Sequence, residues 1–379
     1  MAWAQAYTTA WQVARPFPPV ALPVGNAVGH VLAAPVEART AAPAFDAAAM
    51  DGYAVAGAGP WRITGRVFAG HPGTVPPLGH GEAVEIATGA QVPAGTEAVL
   101  PYEDCHRDGD AVSGTWTART HVRRAGEDTA PGDLLVPAGR IVTATAVAAA
   151  AQVGVERVVA HPRPEVDVLV TGDEVVLHGS PGPGQVRDVF APVVTAIVER
   201  AGGRLCTYRR IDDDPAALRA AIDAAQAPVL VVTGSSSAGV ADHLRDLLDE
   251  RSATWHVDGV ACRPGHPQAL ARTAGGRWVV GLPGNPYAGL VAALTLLEPL
   301  IAALAGHRPR PLPSAPVSGT AKLFPGGCRI VPVDTAGDGA RILPGARSGS
   351  LRAAASADAL AVLDAAWATG APAPLLHLP

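Results

Sequence analysis

Charge is scarce in this sequence. Charged residues make up 17% of 379, against about 25% in typical proteins. The formal net charge is −5, with no run rich in lysine or arginine. Nucleic-acid binders carry a basic face that neutralises phosphates, so neither composition nor charge points to that class. The four cysteines, Cys105, Cys206, Cys262 and Cys328, are widely spaced and form no CxxC pair. That spacing argues against both a zinc ribbon and a disulfide framework. There is no HExxH, no GxSxG elbow and no GxxxxGK[ST] loop, and the twelve histidines show no zinc spacing. A basic segment followed by an apolar one is missing from the N-terminus, where Arg15 is the first positive side chain. The expectation is therefore a soluble, cytoplasmic protein with no secretory signal. The most apolar stretch, Gly289 to Gly306, is broken by Glu298 and Pro299 and follows a turn-rich loop, which predicts a buried helix and not a membrane span. No internal repeat of fixed period is visible.

What is there is enough for a folded core. Hydrophobic residues reach 48%, and the 42 glycines and 36 prolines, about a fifth of the chain, stay below the roughly 25–30% of low-complexity sequence. At roughly 150 residues per domain the length suggests two or three domains. The first forty residues read as a helix followed by an extended segment. From about Ala44 to Pro131, short β-like runs such as Trp61–Phe68 and Glu82–Ala87 alternate with Gly/Pro turns, which predicts a small β domain. Thr143 to Val155 is Ala-rich and meets Gly154, so it reads as a helix. From about Pro164 to Gly306 the pattern becomes strand, loop, helix. The apolar runs Val166–Val170, Pro228–Val232 and Trp278–Leu282 predict a parallel sheet covered on both faces, with Val189–Ala201 as one of its helices. Pro-rich Arg308–Pro316 reads as a linker to a final region of short strands.

In an open α/β sheet, ligands bind outside the carboxyl ends of the strands. Three such loops are rich in Gly, Ser, Thr, Asp or Asn. Thr233–Gly239 has two glycines and three serines after its threonine, and backbone amides in such a loop favour phosphate or another oxyanion. Alone it is also a common turn. Asp173, Glu174, Asp188, Asp213 and Asp242 lie near these loops and supply the hard oxygens Mg²⁺ requires. Asp213 and Asp214, before Pro215, equally suit the N-cap of a helix, and Asp242 equally suits a solvated helical position. Met50-Asp51-Gly52-Tyr53-Ala54, Thr88-Gly89-Ala90 and the cationic Arg123-Arg124 loop each have a bland reading as turns.

Together these segments resemble the molybdopterin molybdenumtransferase family (MoeA, and the E domain of gephyrin). Phe45-Asp46 with Met50-Asp51-Gly52-Tyr53-Ala54, Thr88-Gly89-Ala90, Gly126-Glu127-Asp128, Thr171-Gly172-Asp173-Glu174, Leu282-Pro283-Gly284-Asn285-Pro286 and Ser348-Gly349 with Ala357–Leu360 follow the family's motifs in order over nearly the whole chain. The resemblance implies an elongated, multidomain α/β protein. A linker and dimerisation domain would comprise 1–44 with 136–163, and a small β lid domain 45–135. A MogA/MoaB-like three-layer α/β domain would span 164–306, and a C-terminal β-barrel 307–379. It also implies a homodimer that takes adenylylated molybdopterin and molybdate, and releases the adenylate in a Mg²⁺-dependent step. On this likeness Asp51, Thr88 and Asp128 of one chain would face Glu174, Asp213 and Asp242 of the other, with Glu174 and Asp242 on the metal. Thr171, Gly172, Asp173, Asp188, Thr233, Gly234, Ser235, Ser237, Arg263, His266, Pro283, Gly284, Asn285 and Ser348 would bind substrate.

The sequence departs from the family pattern in several places. A Gly-Gly-Val-Ser loop reads Gly234-Ser235-Ser236-Ser237, and the acid shortly before Asp242 is Val240. Lys-Pro-Gly-Lys-Pro reads Arg263-Pro264-Gly265-His266-Pro267, Asp-Ser-Asn reads Asp188-Val189-Phe190, and Ala48 stands ahead of the Asp51 motif where the family has serine. A neutral imidazole at His266 supplies less charge than lysine, which predicts pH-sensitive oxyanion binding. Two alternatives follow. One is a paralogue that binds the pterin as a carrier or storage protein; the other is an interaction protein. No membrane or nucleic-acid partner is expected.

Overall fold

A computed structural model describes residues 1–70, 76–115, 119–234 and 243–379. The α/β domain holds the site. Its elements are β1 (Glu165–Thr171), α1 (Phe190–Arg200), β2 (Arg204–Ile211), α2 (Pro215–Ala224), β3 (Val229–Thr233), α3 (His243–Glu250), β4 (Thr254–Asp258), β5 (Ala269–Arg272), β6 (Trp278–Leu282) and α4 (Pro286–Leu304). The sheet order is β2-β1-β3-β6-β5-β4. The first four strands are parallel, and β5 and β4 add antiparallel.

The apolar runs are buried on both faces, as their lack of alternation requires. Val166, Val168 and Val170 of β1 meet Phe190, Val194 and Ile197 of α1 and Leu290 of α4. The alternate residue Leu169 faces the other way, toward Leu218 and Ile222 of α2 and Leu244 and Leu248 of α3. The result is three layers. Helix α4 is, among the described residues, the one helix long and apolar enough to cross a bilayer, and 94% of that window is buried inside the protein. The buried-helix expectation holds. An N-terminal helix, Trp3–Gln12, lies on the α1/α4 layer, where Ala6 and Ala10 are fully buried and the Trp3 indole donates to the Thr295 hydroxyl at 3.0 Å.

Three other units surround this domain. Val20–Pro23, Arg157–His161 and Val31–Leu32 form a small antiparallel sheet beside the helix Ala144–Gln152, whose first turn is capped by the Thr143 hydroxyl. The predicted β region is a six-stranded sheet that includes Trp61–Val67 and Glu82–Ile86. At the C-terminus, Ser314–Ser318, Cys328–Ala336, Gly339–Ile342, Ala359–Leu363 and Pro372–His377 close on themselves as a barrel. The multidomain α/β reading with a terminal barrel is therefore correct. All four cysteines are free thiols. Cys262 and Cys328, far apart in sequence, are cross-strand neighbours where a short strand from the α/β domain pairs with the barrel. Burial pushes both thiols up to about 12, so neither is a nucleophile near neutral pH.

Candidate active site

Between β1 and β3 the strand order reverses: from β1 the chain crosses to β2 on one side, then returns to β3 on the other. Such a switch point opens a crevice at the carboxyl ends of the strands. A cleft of about 660 Å³ lies there. The Thr171 hydroxyl at the end of β1 donates to the Thr233 carbonyl at the end of β3, 2.8 Å away, and ties the two walls. Gly234 follows at φ +91, and a Cβ there would come within 2.6 Å of the Thr171 hydroxyl oxygen and 2.7 Å of its carbonyl oxygen. A Gly234→Ala substitution is expected to cost about 1–2 kcal/mol from the backbone alone, and to push the walls apart. Calorimetry checks this: the thermal midpoint of the variant should fall by roughly 2–8 °C.

Glu174 and Asp213 line the cleft from the loops after β1 and β2. Neither carboxylate accepts a hydrogen bond or meets a cation among the described residues. Gly172, at φ +135, lets the Glu174 side chain fold back over the loop, since a Cβ there would sit 2.8 Å from Glu174 Oε2. The neighbouring acids are already committed. Asp173 Oδ1 accepts from the Asp213 amide at 3.2 Å and from Arg210 at 3.4 Å. Asp188 accepts from the Phe190 and Ala191 amides at 3.1 and 3.3 Å and from the Tyr208 hydroxyl at 2.7 Å. It thus closes the start of α1 and braces β2. Burial and then the Asp188 carboxylate push the Tyr208 hydroxyl far above its usual range, so it remains a donor. Asp214 is the N-cap of α2, accepting from the Ala217 amide at 2.7 Å.

Val175, Val186, Val189 and Phe190 make the opposite wall apolar. The Phe190 ring fits because residue 289 is glycine: a Cβ on Gly289 would lie 2.2 Å from Phe190 Cε1. An aromatic side chain thus packs inward at the start of α1. Among the described lining residues the one cation is Arg187, whose Nη1 donates to the Gly179 carbonyl at 2.9 Å.

Pro283, Gly284 and Asn285 line the third side. The start of α4 beyond them is capped from the barrel, because the Ser348 carbonyl accepts from the Tyr287 and Ala288 amides at 2.9 and 3.4 Å. Ser348 therefore acts through its backbone, and its neighbour Gly349 lines the cleft. Arg263 and His266 do not line it. The Arg263 guanidinium stacks on Phe324 at 4.5 Å, and His266 Nδ1 donates to the Val260 carbonyl at 2.7 Å; from that stretch only Pro267 reaches the cleft. Ser235, Ser237 and Asp242 lie outside the described residues.

The lid residues gather separately. Asp51 Oδ1 accepts from the Thr88 amide at 2.7 Å. The Ala47–Ala48 strand beside them pairs with Val122–Arg123, which leads into the loop of Asp128. There Arg123 holds both Asp128 and Glu127, and Arg124 bonds Asp46 at 2.5 Å. The Ala125 amide and Arg124 hold the Asp46 carboxyl below its usual value. None of Asp51, Thr88 or Asp128 lines the cleft of its own chain. Sequence reasoning missed Arg187, Gly349 and the apolar wall. Arg187 could have been found by extending the Asp188 motif one residue back, to the strand Val186–Arg187 that pairs with Val175–Val176.

Residues 1–154 match the MoeA N-terminal region (domain I and II), and residues 167–303, which contain β2, β3, β6 and most of β1, match a family described as "Probable molybdopterin binding domain". Molybdopterin molybdenumtransferase 2 of Mycobacterium tuberculosis is 34% identical over 303 residues, covering 74% of each chain. The chain belongs to the molybdopterin molybdenumtransferase family. The Haemophilus influenzae molybdopterin molybdenumtransferase is 33% identical over 277 residues, 70% of this chain and 68% of that one. The crystal structure of the molybdopterin biosynthesis MoeA protein from Pyrococcus horikosii superposes with a TM-score of 0.76 at 27% identity, covering 99% of this chain and 96% of that one. As a molybdenumtransferase the protein is a transferase of molybdenum cofactor biosynthesis, and every residue lining its cleft except Gly349 lies within the molybdopterin-binding match.

Proposed function

We propose that the transferase binds adenylylated molybdopterin across the switch-point cleft and, with molybdate as second substrate, releases the adenylate as molybdenum enters the dithiolene. The observation that carries this reading is the pair Glu174 and Asp213, two carboxylates facing one cleft and uncompensated among the described residues, where the wall holds a single cation, Arg187. Bound anions meet Arg187 and the backbone amides of the Gly172 and Gly234 turns. The apolar wall of Val175, Val186, Val189 and Phe190 excludes water from one face of the bound molecule. No group of three or more His, Cys, Asp or Glu gathers among the described residues. Glu174 and Asp213 nonetheless offer hard oxygens that suit Mg²⁺ and that no described residue neutralises; Asp242, outside the described residues, is the further carboxylate of this proposal. Mg²⁺, when bound, supplies positive charge to the phosphate oxygens of the departing adenylate.

The second half of the site comes from another copy of the chain. Asp51 and Thr88, joined by their hydrogen bond, and Asp128 do not line the cleft of their own chain, and on this reading they face the cleft of a partner in a homodimer. The test is adenylate release from adenylylated molybdopterin, with and without molybdate and Mg²⁺. Release that requires both supports the reading. Tight binding with no release in any condition overturns it in favour of a carrier of the pterin.

A further inference from the structure

We infer that Arg210 is a positioning residue of the transfer reaction: it fixes the loops that carry Glu174 and Asp213 relative to one another. The inference rests on the proposed placement of the reaction in the switch-point cleft. Strands β1 and β2 run in register to the pair Thr171 and Ile211, where their backbone ladder ends. Past that point, among the described residues, no backbone-to-backbone hydrogen bond joins the loops after the two strands. Arg210, the penultimate residue of β2, fills the gap with one planar guanidinium. Its Nε donates to the Gly172 carbonyl at 3.1 Å, its Nη1 to Asp212 at 2.9 Å and its Nη2 to Asp173 at 3.4 Å. The same Asp173 oxygen accepts the Asp213 amide at 3.2 Å. Arg210 and Asp173 thus form a bridge whose ends are the backbone just before Glu174 and the backbone of Asp213 itself.

Two features separate this bridge from ordinary surface ion pairing. The charge of Arg210 is balanced by Asp173 and Asp212, which do not line the cleft, so it leaves Glu174 and Asp213 uncompensated. The two balancing carboxylates are also well exposed, at 73% and 69%, and exposed pairs contribute little to global stability. Geometry at the reacting centre is more sensitive, since a displacement near 1 Å can cost on the order of a hundredfold in rate. The guanidinium places its donors on three nitrogens spread over a rigid plane, whereas a lysine ammonium holds its three on a single atom and does not span acceptors placed this far apart.

The experiment compares Arg210→Met, Arg210→Lys, Asp173→Ala and the Arg210→Met/Asp173→Ala double variant, with Glu174→Gln as a control on the cleft itself. Both Arg210 variants and Asp173→Ala should lower kcat by roughly tenfold to a hundredfold. KM for the adenylylated pterin should stay within about threefold, and the thermal midpoint within about 4 °C. The double variant should lose no more than the worse single one, because the two residues form one bridge. A kcat within twofold of wild type in Arg210→Met, restoration by lysine, multiplying losses in the double variant, or a change confined to KM would overturn the inference. Should Glu174→Gln itself retain turnover, the cleft assignment fails first and the inference falls with it.

Discussion

A Glu174→Gln variant is expected to turn over at roughly a hundredth to a thousandth of the wild-type rate while keeping its fold. The substitution preserves shape and size and removes only the charge. Glu174 stands on a loop, accepts no hydrogen bond among the described residues and packs over Gly172 instead of into a core, so stability has little to lose. Its charge lies in the same cleft as that of Asp213, and relieving repulsion between them should leave the thermal midpoint unchanged or slightly higher. Steady-state kinetics at saturating pterin, paired with calorimetry, separate the two effects. Wild-type turnover in this variant would remove Glu174 from the chemistry.

Asp167→Ala should do the reverse, lowering stability by about 3 kcal/mol and the melting of the α/β domain by roughly 6–12 °C. Asp167 sits within β1 at 3% exposure. Its carboxylate accepts from the Thr207 hydroxyl at 2.6 Å and from the Gln226 and Ala227 amides, both at 3.0 Å. On the far side of the same turn, Arg277 donates to the carbonyls of Ile222, Ala225 and Ala227. The turn between α2 and β3 is therefore held from both sides, and removing the carboxylate strands the buried Ala227 amide, the part-buried Gln226 amide and the Thr207 hydroxyl. Burial alone would raise the Asp167 pKa, but the hydrogen bonds from Thr207, Ala227 and Gln226 outweigh it and leave the group below its usual value. A depressed folded pKa means the stabilisation is fully present above the unfolded value near 4 and is lost as pH falls through the folded one. The difference in midpoint between wild type and Asp167→Ala should thus be constant from pH 5 to 8 and shrink below about pH 4. A difference that grows on acidification would contradict the assigned role.

Those two carboxylates, one on a loop and one in a strand, show what could be read from the sequence. Continuous apolar runs located β1, β3 and β6 to within a residue or two, because strands buried on both faces leave no alternation to confuse. Thr143 and Gly154 marked the ends of a helix for the usual capping reasons. Collinear motifs located the loops of the cleft. What stayed illegible was the allocation of partners. Asp173, Glu174, Asp188 and Asp213 look alike in sequence, yet Asp173 and Asp188 spend their oxygens on Arg210, Tyr208 and backbone amides, while Glu174 and Asp213 face the cleft with no partner among the described residues. That division depends on β2, which supplies both Arg210 and Tyr208 from 20 or more residues away. The inward turn of Phe190 likewise depends on a glycine 99 positions later, seen only when α1 and α4 are packed. Nor could spacing reveal that the Ser348 carbonyl, and not its hydroxyl, reaches the start of α4.

In the proposed homodimer, Asp51 with Thr88 and Glu174 with Asp213 are halves of one site contributed by two chains. The most direct measurement is turnover of a heterodimer in which one tagged chain carries Asp51→Asn and the other, differently tagged, carries Glu174→Gln, isolated by both tags in succession. Each homodimeric variant should be nearly inactive. The heterodimer holds one site with both substitutions and one with neither, so it should recover about half the wild-type turnover. Turnover no higher than that of the two inactive parents would place both halves in the same chain and contradict the shared site.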